Sequence, residues 1–309
     1  MPEIFAGSAA YPPEGPRPVL TIGNFDGLHQ GHRHLVTRLV ERAGQVGVPS
    51  CVYTFDPPPR VVLAPTRHQP RIQTWPDKVR IMGELGVDQV VVERFTRSFA
   101  RHPPRWFVEE ILGRRLVPEA LVLGYDFRFG SGRSGDVETL RAALPDLPIE
   151  QVAALEMDGD IVSSSRIRAL VTQGSVAAAA RLLGCPHVIC GTVVSGDARG
   201  RTIGFPTANL ESDAELFPAQ GVYACRARTN GDCWHDAVAN LGTRPTFDGR
   251  GFLVEVHLLD FSGNLYGAEM EVAFHERIRG ERAFDGPESL RKQILQDVDA
   301  ARSALSGAL

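Results

Sequence analysis

Two short runs hold residue types that can do phosphate chemistry. In residues 191–209, four glycines, Arg199 and Arg201 lead through Gly204-Phe205-Pro206 into Thr207 and Asn209. Side chains two apart on an extended chain share a face. A hydroxyl and an amide carbonyl there can share one magnesium ion with nucleotide phosphates. Gly191, Gly196 and Gly200 let phosphates approach the backbone, and the arginines supply charge. The same letters also read as a glycine-rich hairpin with a polar turn. The second run is Gly23-Asn24-Phe25-Asp26-Gly27-Leu28-His29-Gln30-Gly31-His32. It joins an apolar strand to a helical pattern, where unpaired N–H groups and the positive dipole end favour phosphate. His29 and His32 can face one side of the first turn and donate to charge growing on a leaving phosphate. Gly31 lets a nucleotide come close. From spacing alone, a metal site, a capping arrangement or solvent-facing histidines such as His34 stay open.

Other segments add polar groups at element ends. Ser163-Ser164-Ser165-Arg166-Ile167-Arg168 opens a helix, where hydroxyls and guanidiniums suit triphosphate oxygens. The same serines can cap that helix. Thr54-Phe55-Asp56-Pro57 and Gly124-Tyr125-Asp126-Phe127 each follow a strand. Glu255 interrupts the apolar run 252–259. It reads either as a buried carboxyl or as one outward member of an alternating strand, with Leu253 and His257. Arg277, Arg279 and Glu281 form a charged cluster that a solvated turn would also explain.

The elements that must position these groups fall into two grammars. From about residue 18 to 184, apolar runs at 19–22, 51–55, 90–92 and 121–123 alternate with helical patterns. One helix carries Leu35, Val36, Leu39, Val40 and Ala43 on a single face; another spans Asp77 to Leu85, with Thr74 and Asp77 spaced as a capping box. A third lies around 107–112. Such alternation predicts a parallel sheet wrapped by helices, with ligands at the carboxyl ends of the strands. Beyond an alanine-rich helix at 175–184, short runs at 188–194, 221–228, 234–240, 252–259 and 269–274 predict an antiparallel barrel or sandwich. A last helix from Pro287 is expected to bury Leu290, Ile294, Leu295 and Val298. The expected boundary lies near 184–188, giving domains 1–184 and 185–309.

Composition sets the outer limits. A length of 309 residues suits about two domains, and 43% hydrophobic with 23% charged residues is that of a soluble globular protein. A net charge of −4 leaves no electrostatic footprint for nucleic acid or membrane. No window approaches the ~20 apolar residues of a spanning helix. The N-terminus reads as a loose, proline-containing leader without signal-peptide features. Five cysteines without a Cys-x-x-Cys pair argue against disulfides and structural zinc. The expectation is a cytoplasmic monomer or weak homo-oligomer acting on small molecules.

The run ending in Pro206-Thr207-Ala208-Asn209 resembles the kinase module of bacterial riboflavin kinases. The resemblance continues through 221–224, 238–247, 255–261, 265–267 and 277–281 in the family's order. Residues 23–32 resemble the His-x-Gly-His signature of nucleotidyltransferases, in the form of the FMN adenylyltransferase branch, and 54–57, 124–130 and 163–168 support that branch. Together they imply a Rossmann-like nucleotidyltransferase domain followed by an antiparallel β-barrel riboflavin kinase domain with a C-terminal helix. They imply ATP as co-substrate, Mg2+, and riboflavin, FMN and FAD as flavin substrates and products. By resemblance, Thr207 and Asn209 bind magnesium and Glu255 is the general base. His29 and His32 act on the phosphates in the transition state, and Ser164 and Arg166 hold the β- and γ-phosphates. Gly23, Asn24, Phe25, Gly31, Ser163, Ser165, Arg168, Gly191, Gly196, Arg199 and Gly200 complete the nucleotide sites. Asp126 and Phe127 face the nucleobase or flavin, and Arg277, Arg279 and Glu281 belong to a loop that closes on the flavin.

One departure stands out: the family commonly has histidine where this chain has Pro58. An alternative reading is therefore a riboflavin kinase with weak or absent adenylyltransferase activity. A flavin sensor or carrier is the non-enzymatic alternative, and it has no need of a base beside a metal site.

Overall fold

The computed structural model describes residues 1–12, 14–67, 69–196, 204–244 and 251–307. The chain divides into compact units Met1–Ser163 and Ser164–Leu309. The change of strand grammar near residue 184 falls inside the second.

In the first unit, β1 (Glu3–Phe5), β2 (Val19–Ile22), β3 (Ser50–Phe55), β4 (Gln89–Glu93), β5 (Ala120–Gly124) and β6 (Ile149–Val152) form one sheet. Its order is β1-β4-β3-β2-β5-β6, and every pairing is parallel. Strands covered on both faces read as continuous apolar runs, which is why β2 to β5 were legible. The N-terminal leader is not loose: Glu3–Phe5 pairs with Gln89–Val91 as an edge strand. Three residues are too few to show a period.

Helix α1 (Gln30–Val46) buries Leu35, Val36, Leu39 and Ala43 on the sheet, and Gly47 ends it in the left-handed region at φ 77°. After a short α2 (Pro59–Leu63), α3 (Trp75–Glu84) is capped by Thr74, whose hydroxyl accepts from the Asp77 N–H. Helix α4 (Pro104–Trp106) runs on as a π-helix over Phe107–Leu116, and Asp136 caps α5 (Val137–Ala143) through a capping box with Thr139. The segments 23–29, 56–58 and 125–127 all leave carboxyl ends of strands.

The second unit begins with α6 (Ser164–Thr172) and α7 (Val176–Leu183). Strands β9 (His187–Val194), β10 (Ala208–Glu211), β11 (Gly221–Thr229), β12 (His235–Arg244), β13 (Gly251–Leu258) and β14 (Glu269–Arg279) then close a barrel, in the order β10-β13-β12-β11-β14-β9. (The labels β7 and β8 are the two-residue strands Glu156–Met157 and Asp160–Ile161 of a small hairpin in the first unit.) Its interior is filled by alternating residues such as Leu210, Ala239, Leu241, Val254, Val256 and Val272. Helix α8 (Pro287–Ser306) packs Ala301 and Leu305 on Val222, Ala224 and Val238. Of the stripe expected on α8, Leu290, Ile294 and Val298 are only half-buried, and Leu295 is corrected outright. Leu295 is 47% exposed, because the buried face runs through Asp297, Ala301 and Leu305, about a third of a turn away. Among the described residues, no helix is long and apolar enough to cross a membrane.

Candidate active sites

The turn after β2 is built by steric and polar constraints that leave little freedom. Gly23 donates its N–H to the Tyr53 carbonyl, and a Cβ on Gly23 would lie 3.0 Å from the Phe25 ring. Phe25 is 2% exposed at φ 48°, and its ring meets His32 edge-on at 5.4 Å. It thus supports His32 from below. The Asn24 carbonyl accepts from Lys78 Nζ at 2.8 Å, while Asn24 Oδ1 is buried and has no hydrogen-bond partner in the protein.

His29 is the N-cap of α1. Its Nδ1 accepts the His32 backbone N–H at 3.3 Å. In the neutral ring the proton is therefore on Nε2, which leaves that nitrogen as a donor. The two imidazoles stack with centroids 3.7 Å apart and planes 15° from parallel. Gly31 is needed there, since a Cβ would press on the His29 ring at 3.3 Å and face the Val162 carbonyl. Burial holds His32 well below the usual histidine range, and the charges of His29 and Lys78 push the same way. His32 Nδ1 has no hydrogen-bond partner in the protein. Beside the turn opens a shallow cleft, lined in part by Asp26, Phe55, Pro58, Arg71, Trp75 and Lys78. Pro58, the departure from the family pattern, is thus on its wall.

Asp126 is exposed after β5. Phe127 is half-buried and stacks on Phe129 at 5.5 Å in an aromatic cluster that reaches Phe55. Ser163 closes the first unit. Ser164, Ser165 and Arg166 lie in the first turn of α6, followed by Arg168, and only Ile167 of this stretch is buried.

On the barrel, strand register assembles the second site. Asn209 on β10 faces Glu255 on β13, and Glu255 faces Asn240 on β12. Asn240 Nδ2 donates to Glu255 Oε2 at 3.4 Å. Because Ala208, Leu210, Val254, Val256, Ala239 and Leu241 point inward, these three polar residues occupy the outer wall. Glu255 is therefore the outward member of an alternating strand. Thr207, two residues before Asn209, falls on the same side. Phe205 meets the His257 ring edge-on at 5.5 Å, and the Pro206 carbonyl lies 2.8 Å from His257 Nδ1. That clasp fixes the Gly-Phe-Pro turn beside β13.

Gly196 carries no side chain because the Asn209 amide occupies that space. Gly191 has a different reason: a Cβ would overlap the Glu211 backbone carbonyl on β10. Glu281 lies over β12, with Oε1 2.9 Å from where a Cβ of Gly242 would be. Arg277 spans the carbonyls of Gln173 and Gln220. Arg279 grips Asp297 of α8 with Nε and Nη2, at 3.0 and 2.7 Å, beneath the Phe284 ring. The barrel thus gathers Asn209 and Glu255, with Thr207 beside them, while both arginines are engaged by protein groups. Arg199 and Gly200 lie outside the described residues.

Asn240 and Lys78 were given no role from the sequence, and His257 entered only as a neighbour of Glu255 on one strand face. The pairing of Asn240 with Glu255 needed the register. Lys78 had a signal, since it precedes Ile81 and Met82 by three and four residues and so falls on the apolar stripe of α3.

A parallel α/β unit with paired histidines at a helix start, joined to a barrel with a carboxylate among oxygen donors, defines a two-site nucleotide-dependent transferase. Comparisons with known proteins bear this out. A family described as FAD synthetase matches residues 12–166, and one described as riboflavin kinase matches 183–305. The Escherichia coli K12 bifunctional riboflavin kinase/FMN adenylyltransferase is 40% identical, covering 92% of this chain and 91% of its own. The Bacillus subtilis enzyme of the same name is 35% identical, covering 93% and 92%. The crystal structure of a Streptococcus pneumoniae protein described as a macrolide-efflux protein superposes with a TM-score of 0.89 at 30% identity, covering 97% of this chain and 98% of that one. This chain belongs to the bifunctional riboflavin kinase/FMN adenylyltransferase family.

Proposed function

We propose that residues 185–309 phosphorylate riboflavin at the Asn209–Glu255–Asn240 row and that residues 1–184 adenylylate FMN at the stacked histidines. The chain is a bifunctional enzyme of flavin cofactor synthesis. ATP converts riboflavin to FMN, and a second ATP converts FMN to FAD with release of pyrophosphate.

In the kinase step, Glu255 takes the proton of the terminal ribityl hydroxyl as that oxygen attacks the γ-phosphorus, and ADP leaves. Asn240 fixes the carboxylate by its amide N–H. Thr207 and Asn209 would hold Mg2+ through neutral oxygens, a donor set that fits a hard cation. Among the described residues no cluster of three or more His, Cys, Asp or Glu side chains could hold a metal. Bound there, Mg2+ would neutralise phosphate charge. Glu281, over Gly242, would face the flavin. Arg277 and Arg279 act by fixing the strand end that carries it.

In the adenylyl step, an FMN phosphate oxygen attacks the α-phosphorus and the bond to the β,γ-pyrophosphate breaks. His29 and His32 donate to the phosphate oxygens as negative charge shifts to the leaving group. Ser163, Ser164, Ser165, Arg166 and Arg168, at the start of α6, suit the β- and γ-phosphates. Gly23, Asn24, Phe25 and Gly31 shape the turn, and Asp126 and Phe127 lie on the flavin side. The reading places the enzyme in the cytoplasm as a monomer or weak homo-oligomer with no nucleic-acid partner.

The observation that carries the proposal is the row Asn209, Glu255 and Asn240 across three neighbouring strands. Its test is a time course with riboflavin, ATP and magnesium, resolved by chromatography. FMN should appear first and FAD after it. A folded protein yielding neither flavin would refute the assignment.

A further inference from the structure

We propose that Lys78 is a positioning residue of adenylyl transfer: its ammonium pins the Asn24 carbonyl and so sets the turn that presents His29 and His32. This rests on the placement of that reaction at the stacked histidines.

Lys78 is 6% exposed, on the sheet-facing side of α3. A buried ammonium is costly unless it is hydrogen-bonded and paired, and an aliphatic side chain would fill the position without that cost. Its Nζ donates to Asn24 O at 2.8 Å. The Thr54 hydroxyl reaches the same carbonyl at 3.5 Å. The turn needs such fastening. Phe25 at φ 48° and Leu28 at φ 36° hold backbone conformations that non-glycine residues keep only when their surroundings over-determine them. Asp26 Oδ1 accepts the Ile72 N–H at 3.1 Å, and Arg33 Nε donates to the Leu28 carbonyl at 3.0 Å. With Lys78, these contacts fasten the turn at three successive points.

The charge has a second effect. Burial lowers the Lys78 amine below the ordinary lysine range, Asp26 and Asp56 oppose that fall, and Arg71 adds to it. Lys78 and His29 both disfavour a proton on His32. Before polyphosphate binds, His32 is therefore neutral, with a cation fixed at the turn.

The test uses Lys78→Met and Lys78→Gln in the full chain. The assay is FAD formation from FMN and magnesium-ATP, paired with an NMR titration of His32. Lys78→Met should lower kcat about tenfold or more, while KM for ATP and FMN moves less than about threefold. Lys78→Gln keeps an N–H donor, one bond shorter and without charge, and should recover part of kcat. In both variants His32 should titrate at higher pH than in the parent. A kcat for Lys78→Met within about twofold of the parent would overturn the proposal. So would equal losses in both variants with His32 unmoved. If Lys78→Met does not fold, Lys78→Gln carries the test through the His32 titration and the split between kcat and KM. A double His29→Ala, His32→Ala variant separates the two ideas. Full FAD formation there removes the site itself, whereas loss there with an active Lys78→Met removes only the role of Lys78.

Discussion

Asn209 and Glu255 face each other directly across β10 and β13, and both point to the outer wall of the barrel. An amide oxygen fit for a cation thus sits beside a carboxylate fit to take a proton. Glu255→Gln keeps the shape and removes the base proposed for the kinase step. FMN formation should fall about 10²- to 10⁴-fold with little change in KM for riboflavin. Steady-state kinetics check this, and a variant with kcat near the parent would show that the proton leaves by another route.

The histidine pair makes the complementary prediction. Replacing both His29 and His32 by alanine should lower FAD formation by at least about 10²-fold while FMN formation continues. Chromatography of the flavins formed from riboflavin reads both outcomes in one sample. Equal loss of both products from a folded protein would contradict separate sites.

The sequence carried the frame of this molecule more readily than its fastenings. Continuous apolar runs disclosed β2 to β5, and helical periodicity disclosed α1, because burial acts on every residue of such elements. The four-residue β10 is too short to announce itself, yet it is the strand that carries Asn209. Pairing of Glu255 with Asn240 is a property of register, which no local pattern contains. The roles of the glycines were equally hidden. Gly191 and Gly196 look alike in the sequence, but one yields to a backbone carbonyl and the other to the Asn209 amide.

That difference is testable. Gly191→Ala should destabilise the barrel by about 1–3 kcal/mol, since the added methyl meets backbone that cannot rotate away. Gly196→Ala should cost less stability but displace Asn209, so its main effect is a lower kinase rate and a higher magnesium requirement. Urea denaturation and a magnesium titration of FMN formation distinguish the two. A Gly191→Ala protein as stable as the parent would mean that β9 and β10 can part.

Arg279 and Asp297 form an ion pair with side chains only 12% and 3% exposed. Gln293 also donates to Asp297, at 2.9 Å. Removing one partner strands the other charge in a poorly solvated site, so Asp297→Ala should cost about 3–5 kcal/mol. The double variant Arg279→Met, Asp297→Leu should regain much of that loss, because neither charge is then left buried. Chemical denaturation of the three proteins decides the matter. If the double variant is as unstable as the single one, α8 is held by the hydrogen bonds and not by the pairing of charges.

His187 predicts how the barrel responds to acid. It is 3% exposed at the start of β9, and its Nε2 lies 3.1 Å from the Leu216 carbonyl, which requires the Nε2–H tautomer. Burial pulls its pKa from the ordinary 6.5 down to about 4, against the opposing pull of that carbonyl. The unfolded chain therefore takes up the proton first as pH falls. This contribution to stability is fully present above pH 6.5, declines as the pH drops, and is gone by about pH 4, a loss of about 3 kcal/mol. His32 shifts in the same direction in the first unit, so a variant is needed to isolate the barrel's share. His187→Gln keeps an N–H donor toward Leu216 but cannot gain a proton. It should flatten the fall in stability between neutral pH and about pH 4.5, followed by urea denaturation. Equal slopes in parent and variant would mean that His187 keeps its ordinary titration despite its burial.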